Sequence, residues 1–248
     1  MKLRIGFACG FSILLVAGIV SPSYSGFQDL FKGAMKALGV EQGLTEEDIV
    51  KGLKEALEVG TNKAVALVSQ YDGYFKNAKI KIPLPENVQK AEKLLRTVGL
   101  SRQVDEFELS MNRAAERAAP KAKPIFWDAI QKMTFTDARN ILDGPTDAAT
   151  TYFRQKTSMQ LQSAFKPVVN QAMSEVGVTQ AYKTLDQRIR SLPFTESLRF
   201  DLDQYVTDKA LNGLFLMLAE EEKKIRQDPA ARVTDLLKKV FGSQSNSP

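Results

Sequence analysis

The chain of 248 residues contains no histidine, and its single cysteine, Cys9, lies in an apolar run near the N-terminus. The rest of the sequence therefore offers no imidazole base, no thiolate nucleophile, no disulfide and no nitrogen or sulfur ligand for a metal. Glycine-rich phosphate loops are also absent, and hydroxyl catalysis, which would need lysine as its base, is not predicted. These absences exclude most recognisable enzyme chemistry. The sequence predicts neither a cofactor nor a metal site.

Residues 1–25 have the layout of a cleavable secretory signal. A positively charged start at residues 2–4 precedes an apolar run at residues 5–20, and Pro22 is followed by small residues. We expect cleavage between Ser25 and Gly26. The alternative is an uncleaved anchor, but the run is shorter than the ~20 residues that a membrane-spanning helix needs.

The apolar residues after the signal repeat at helical spacing almost everywhere, and no pair of alternating segments predicts a sheet. We therefore predict an all-α fold, a single bundle-like domain of nine to eleven helices. Residues 26–44 are predicted to be an amphipathic segment with a linker, residues 45–242 the helical domain, and residues 243–248 a disordered tail.

Four polar residues are predicted to cap helix N-termini: Thr45, Ser101, Thr136 and Thr146. Further helices are expected at residues 180–190 and after Asp228. The segment Leu202–Arg226 is apolar on nearly every side around residues 211–218, and such a helix is normally surrounded by others. We predict that it lies at the centre of the domain.

Seven groups of short stretches together resemble one bacterial family. They are Asp48–Leu57, Ile82–Pro85 ahead of Leu94-Leu95 and Gly99-Leu100, Met111–Glu116, Met133–Arg139, Asp143–Pro145, Ala149–Phe153 and Asp228–Arg232. Over residues 45–242 the chain is similar to the family catalogued as domain of unknown function 4197. The resemblance implies an exported, mostly helical envelope protein, and hence a periplasmic location, and it brings no catalytic residues.

A dense polar cluster between Thr134 and Thr157 surrounds two predicted helix starts, where free backbone N–H groups attract anions. Its arginines could add bidentate contacts to a carboxylate or phosphate. The candidate ligand-binding residues are Arg113, Asp137, Arg139, Asp147, Tyr152 and Arg154. The alternative is that the threonines and aspartates only cap their helices while the arginines pair with nearby acids.

A basic stretch runs from Lys76 to Arg102 and contains seven bases but only two acids, Glu86 and Glu92. The candidate basic surface consists of Lys79, Lys81, Lys90, Lys93 and Arg96. For an exported protein this surface suggests an anionic envelope partner, a lipid or an acidic protein. Nucleic acid is not predicted, because no aromatic residues that would stack on bases are interleaved. An ordinary solvated lysine-rich surface is the alternative.

Two functions of different classes remain open. The sequence favours a non-catalytic protein that binds an anionic or apolar envelope partner. The alternative is a carboxylate-dependent hydrolase of cell-wall polymer, for which two acids at suitable separation suffice. Its candidate acids are Glu106, Glu108 and Glu116, whereas residues 220–222 are interpreted as a solvated helix surface.

Overall fold

The computed structural model describes residues 45–175 and 201–227, and within these ranges it contains seven α-helices and no strand. The helices are α1 (Glu46–Ser69), α2 (Glu86–Thr97), α3 (Ser101–Ala118), α4 (Ala122–Gln131), α5 (Phe135–Leu142), α6 (Ala148–Glu175) and α7 (Leu202–Gln227), with a 3-10 turn, Ala119–Lys121, before α4. The all-α prediction is confirmed. The predicted signal, the segment 26–44, the helices at 180–190 and after Asp228, and the tail lie outside the described residues.

Helix α7 is the central element, as its apolar sequence predicts. It packs against α1, α3 and α6, and it buries side chains along its whole length, among them Val206, Leu214, Phe215 and Ile225. Leu216 is 41% exposed, so one narrow face of the helix still meets solvent. The helix thus supplies the middle of one apolar core that the other helices surround.

Thr45 caps α1 as predicted. Its hydroxyl oxygen accepts a hydrogen bond from the backbone N–H of Asp48 at 3.1 Å, and the Asp48 carboxylate accepts one from the backbone N–H of Thr45 at 3.1 Å. This reciprocal arrangement is a capping box, which satisfies two backbone donors at the helix start. The local sequence therefore determines where α1 begins.

The other predicted caps are wrong in position. Ser101 is the first residue of α3, and the cap residue Leu100 makes no side-chain hydrogen bond. Thr134, not Thr136, caps α5, because a capping box needs the carboxylate three residues after the threonine and Asp137 stands there. Helix α6 begins at Ala148, two residues after Thr146.

The connector between α1 and α2, residues 70–85, crosses the surfaces of α3 and α7. Gly73 is required in its turn, because an added Cβ would lie 2.5 Å from the carbonyl oxygen of Leu67. Tyr74 is fully buried and donates its hydroxyl to the carbonyl oxygen of Ala210 at 2.6 Å. Gly213 permits this approach, since a Cβ there would lie 2.7 Å from the Tyr74 ring.

Helix α2 has an exposed apolar side that the sequence did not predict. Among the described helices it packs mainly on α3. Its Val88 and Leu95 are buried, and it ends before Gly99, whose φ is +88°. Leu94 and, at the C-cap of the helix, Val98 are 44% and 61% exposed. No helix within the described ranges has both the length and the apolar character of a membrane span.

Candidate functional site

Asp137, at the centre of the predicted ligand-binding cluster, is engaged in capping α5. Its carboxylate accepts hydrogen bonds from the hydroxyl and the backbone N–H of Thr134, at 2.7 and 3.0 Å. The hydrogen bond from the Thr134 side chain holds the pKa of Asp137 below its ordinary value. This part of the cluster follows the alternative in which the polar residues cap a helix.

Arg139 and Tyr152 also have partners within the protein. Arg139 forms an ion pair with Glu46 at 3.2 Å and lies over the ring of Phe135. Tyr152 is buried and donates its hydroxyl to the carbonyl oxygen of Ala129 at 2.9 Å, and burial raises its pKa. The arginine therefore joins α5 to α1, and the tyrosine joins α6 to α4.

Arg154 contacts α7, with its guanidinium 3.3 Å from the Asn212 side-chain oxygen and 4.4 Å from the centre of the Phe215 ring. Asp147 is exposed in the turn before α6. The predicted cluster is thus divided among contacts to α1, α4 and α7, and the structure does not bring its members to one point. Their role in ligand binding stays a prediction.

The N-terminus of α6, where an external anion was predicted, holds a carboxylate of this chain. Glu222 on α7 accepts hydrogen bonds from the backbone N–H groups of Ala149 and Thr150 and from the Thr150 hydroxyl, each at 2.9 Å. Glu222 is 7% exposed and therefore buried. Free N–H groups at a helix start attract anions, and here the anion comes from the end of another helix.

Arg226 neutralises this buried carboxylate. It donates to Glu222 at 3.0 and 3.1 Å and to the carbonyl oxygen of Ile141 at 2.7 Å. Both side chains border an apolar cavity between α1, α5, α6 and α7 with a volume of about 20 Å³, which is room for a water molecule. The interpretation of residues 220–222 as a solvated surface is wrong, since Glu221 and Glu222 are buried.

Arg113 and Glu116 fasten the connector to α3. One oxygen of Glu116 accepts hydrogen bonds from the backbone N–H groups of Tyr74 and Phe75, at 3.0 and 3.2 Å. Arg113 donates to the other Glu116 oxygen at 2.6 Å and to Asp72. The candidate ligand-binding arginine therefore lies inside a polar network that shapes a turn.

Asn112 binds the same connector one turn earlier on α3. Its side-chain oxygen accepts the backbone N–H of Ile82 at 2.8 Å, and its nitrogen donates to the Ile82 carbonyl at 2.9 Å. The side chain is fully buried. The stretches Met111–Glu116 and Ile82–Pro85, which carry the family resemblance, thus contact each other, and sequence reasoning had no signal for this pairing.

The remaining candidate acids of the hydrolase alternative are paired with bases. Glu106 binds Arg102 and Glu108 binds Lys81, each at 2.7 Å. Sequence reasoning overlooked a Ser-x-x-Lys spacing, Ser163 and Lys166, yet Lys166 donates to Asp201, just before α7, and to Gln204 on α7. The structure therefore places these side chains in ion pairs and interhelical contacts.

Five of the seven bases in residues 76–102 form ion pairs with acids, among them Lys79, Lys81 and Arg96 of the candidate basic surface. The ion pairs are Lys76–Asp72, Lys79–Glu220, Lys81–Glu108, Arg96–Glu92, Arg96–Asp105 and Arg102–Glu106. All of these acids except Glu92 lie outside residues 76–102, so a local count of charges could not include them.

Lys90 and Lys93 differ from the other bases of the stretch. Both side chains are on exposed positions of α2, and neither forms an ion pair with any described residue. On a helix, residues three, four and eight apart share a side, so Lys90 lies beside the exposed Leu94 and Val98. We call the surface formed by Lys90, Lys93, Leu94 and Val98 the α2 face.

Within residues 45–175 and 201–227, no group of three or more acidic side chains is arranged to hold a metal. No curated protein and no solved structure is detectably similar to the chain. The sequence profile of the family described as "Protein of unknown function (DUF4197)" matches residues 43–242. This match confirms the resemblance inferred from the short stretches, and the chain therefore belongs to the DUF4197 family.

Proposed function

We propose that this chain is an exported, non-catalytic envelope protein that binds an anionic envelope surface through α2. The observation that supports the proposal is a contrast within residues 76–102: five bases are paired with acids, whereas the exposed Lys90 and Lys93 form no ion pair with any described residue. A lysine already paired with a carboxylate contributes little attraction, because the two charges cancel at a distance. Within residues 76–102 the attraction therefore comes from Lys90 and Lys93, which form no ion pair with a described residue.

The expected binding is weak and sensitive to salt. Each cationic side chain near an anionic lipid surface adds about 1 kcal/mol, so the two free lysines together supply about 2 kcal/mol. Exposed charges lose most of their reach beyond ~8 Å at physiological ionic strength. A binding free energy of this size corresponds to a reversible association that weakens as the ionic strength rises.

Export of the protein rests on the signal layout of residues 1–25. Expression of the full chain in a Gram-negative host should give a periplasmic product whose first residue, by N-terminal sequencing, is Gly26 or a close neighbour. An uncleaved chain recovered from the cytoplasm would contradict this part of the proposal.

The non-catalytic assignment is supported by the engagement of the candidate acids. Glu116 accepts hydrogen bonds from two backbone N–H groups, while Glu106 and Glu108 form ion pairs with bases. A general acid and a nucleophile must instead face a substrate across an open space.

Co-sedimentation of the processed protein with lipid vesicles tests the proposal. We expect binding to vesicles containing phosphatidylglycerol, little binding to pure phosphatidylcholine, and a marked loss of binding between 50 and 500 mM NaCl, concentrations on either side of the physiological range. Equal binding to both vesicle types, or no binding to either, would contradict the proposal.

A further inference from the structure

We infer that α2 is an interfacial helix that lies flat on an anionic lipid bilayer, with Leu94 and Val98 entering the boundary between head groups and acyl chains. This inference rests on the proposed function and deepens it. The partner is then a lipid bilayer, whereas the charges alone are compatible with any anionic surface.

The α2 face has the composition of a helix at a membrane surface. Leu94 and Val98 are one helical turn apart and are 44% and 61% exposed. Lys90 lies one turn before Leu94, and Lys93 flanks it on the same outer side. Amphipathic helices at membranes combine such an apolar ridge with lysines that reach the anionic head groups.

The opposite side of α2 is fixed to the domain. Val88 and Leu95 are buried, and Arg96 forms ion pairs with Glu92 on α2 and with Asp105 on α3, at 2.9 and 2.7 Å. The inner side is therefore held against α3 while the apolar ridge points outward. The ridge is presented without any rearrangement of the helix.

The size of the ridge favours a lipid bilayer over a protein partner. A stable protein–protein interface buries about 1,200 Å² or more, with a packed apolar centre. One exposed leucine on a helix of 12 residues and one exposed valine at its C-cap offer much less than that. A bilayer needs no shape complementarity, and a few inserted side chains together with cationic ones suffice for reversible attachment.

A double substitution of the ridge tests the inference. Leu94→Ser with Val98→Ser should weaken binding to phosphatidylglycerol vesicles by about tenfold or more, because inserted aliphatic side chains no longer leave water. The matched control is Leu67→Ser with Leu216→Ser, which changes two leucines exposed to 37% and 41% on α1 and α7. This control should bind like the unchanged protein, and circular dichroism should show the same helical content in both variants.

Fluorescence gives a second readout that loss of folding would not produce. Trp127 is the only tryptophan, so Trp127→Phe removes the background and Leu94→Trp then reports the environment of the ridge. We expect its emission to shift to shorter wavelength with anionic vesicles and to stay unshifted with neutral ones.

The outcomes separate the inference from the proposed function. If the unchanged protein binds anionic vesicles but the ridge variant binds equally well and the Leu94→Trp emission does not shift, the inference is overturned and the proposed function stands. If the unchanged protein does not bind anionic vesicles at all, both are overturned.

Discussion

The carboxylate of Glu222 on α7 accepts hydrogen bonds from the backbone N–H and the hydroxyl of Thr150 on α6, 72 residues away, each at 2.9 Å. This contact joins the C-terminal part of the central helix to the N-terminus of α6. It places a negative charge where the helix dipole favours one, and Arg226 balances that charge. The helix start that the sequence predicted to attract an external anion therefore binds a carboxylate of the same chain.

Removal of this carboxylate should destabilise the protein strongly. Glu222→Ala removes the acceptor of the α6 N–H groups and the carboxylate that pairs with the mostly buried Arg226, so the free energy of unfolding should fall by about 3 kcal/mol. Urea denaturation measures the change. Glu220→Ala is the control, because its ion pair with Lys79 is partly exposed and should be worth less than about 1 kcal/mol. Equal effects of the two substitutions would contradict the assigned role of Glu222.

The start of α5 can be tested with two neighbouring threonines. Thr134→Ala removes the hydroxyl that accepts the N–H of Asp137, and loss of such a cap costs about 1 kcal/mol of stability. Thr136 is exposed inside the helix, so Thr136→Ala should be nearly neutral or slightly stabilising. Thermal unfolding of both variants measures the difference, and a larger loss at Thr136 would place the cap where the sequence first suggested.

The attachment of the connector depends on Asn112. Asn112→Ala leaves the buried N–H and carbonyl of Ile82 without their side-chain partner, and we expect a loss of about 2 kcal/mol in chemical denaturation. Glu108→Gln on the same helix is the control, since its ion pair with Lys81 is partly exposed and should contribute less than about 1 kcal/mol. A neutral Asn112→Ala variant would show that the connector is held by other contacts.

The pH dependence of stability should be concentrated in acid. Hydrogen bonds from Lys76 and Arg113 lower the pKa of Asp72, and the hydrogen bond from Thr134 lowers that of Asp137, both from an ordinary value of 3.8. A carboxyl group whose pKa is lower in the folded state stabilises the protein above its unfolded pKa, and this contribution is lost as the pH falls through the folded value.

Urea midpoints measured from pH 2.5 to pH 8 test this dependence. We expect a steep fall below about pH 4 and little change between about pH 5.5 and 7.5, because the chain has no histidine to titrate there. Asp72→Asn should reduce the acid-dependent part of the fall. A step in stability centred near pH 6.5 would contradict the account.

Local signals in the sequence predicted the fold class, the central helix and the start of α1. Helical periodicity and the Thr45–Asp48 capping box involve residues within one or two turns, so they can be read without the fold. The sequence could not show that Leu95 is buried while Leu94 and Val98 are exposed, because α2 and its C-cap have apolar residues on two sides. Only the packing partners decide which of the two sides is buried.

The charge pattern could not be predicted for a related reason. Lys79 and Glu220 are 141 residues apart, and Lys81 and Glu108 are 27 apart, so their pairing depends on the complete fold. Glu222 similarly lies in a run of three glutamates that is typical of a solvated helix surface. Sequence reasoning therefore overestimated the free positive charge of residues 76–102 and underestimated the buried negative charge.

The most direct test of the account compares two pairs of free lysines. Lys90→Gln with Lys93→Gln removes two charges from the α2 face, while Lys51→Gln with Lys63→Gln removes two from exposed positions on α1 that also form no ion pair with a described residue. Affinity for phosphatidylglycerol vesicles at low salt is the measurement. We predict that the α2 variant loses about 2 kcal/mol of binding and that the α1 variant binds nearly like the unchanged protein. Equal losses in both variants would show that net charge alone drives binding, and this would contradict the role assigned to the α2 face.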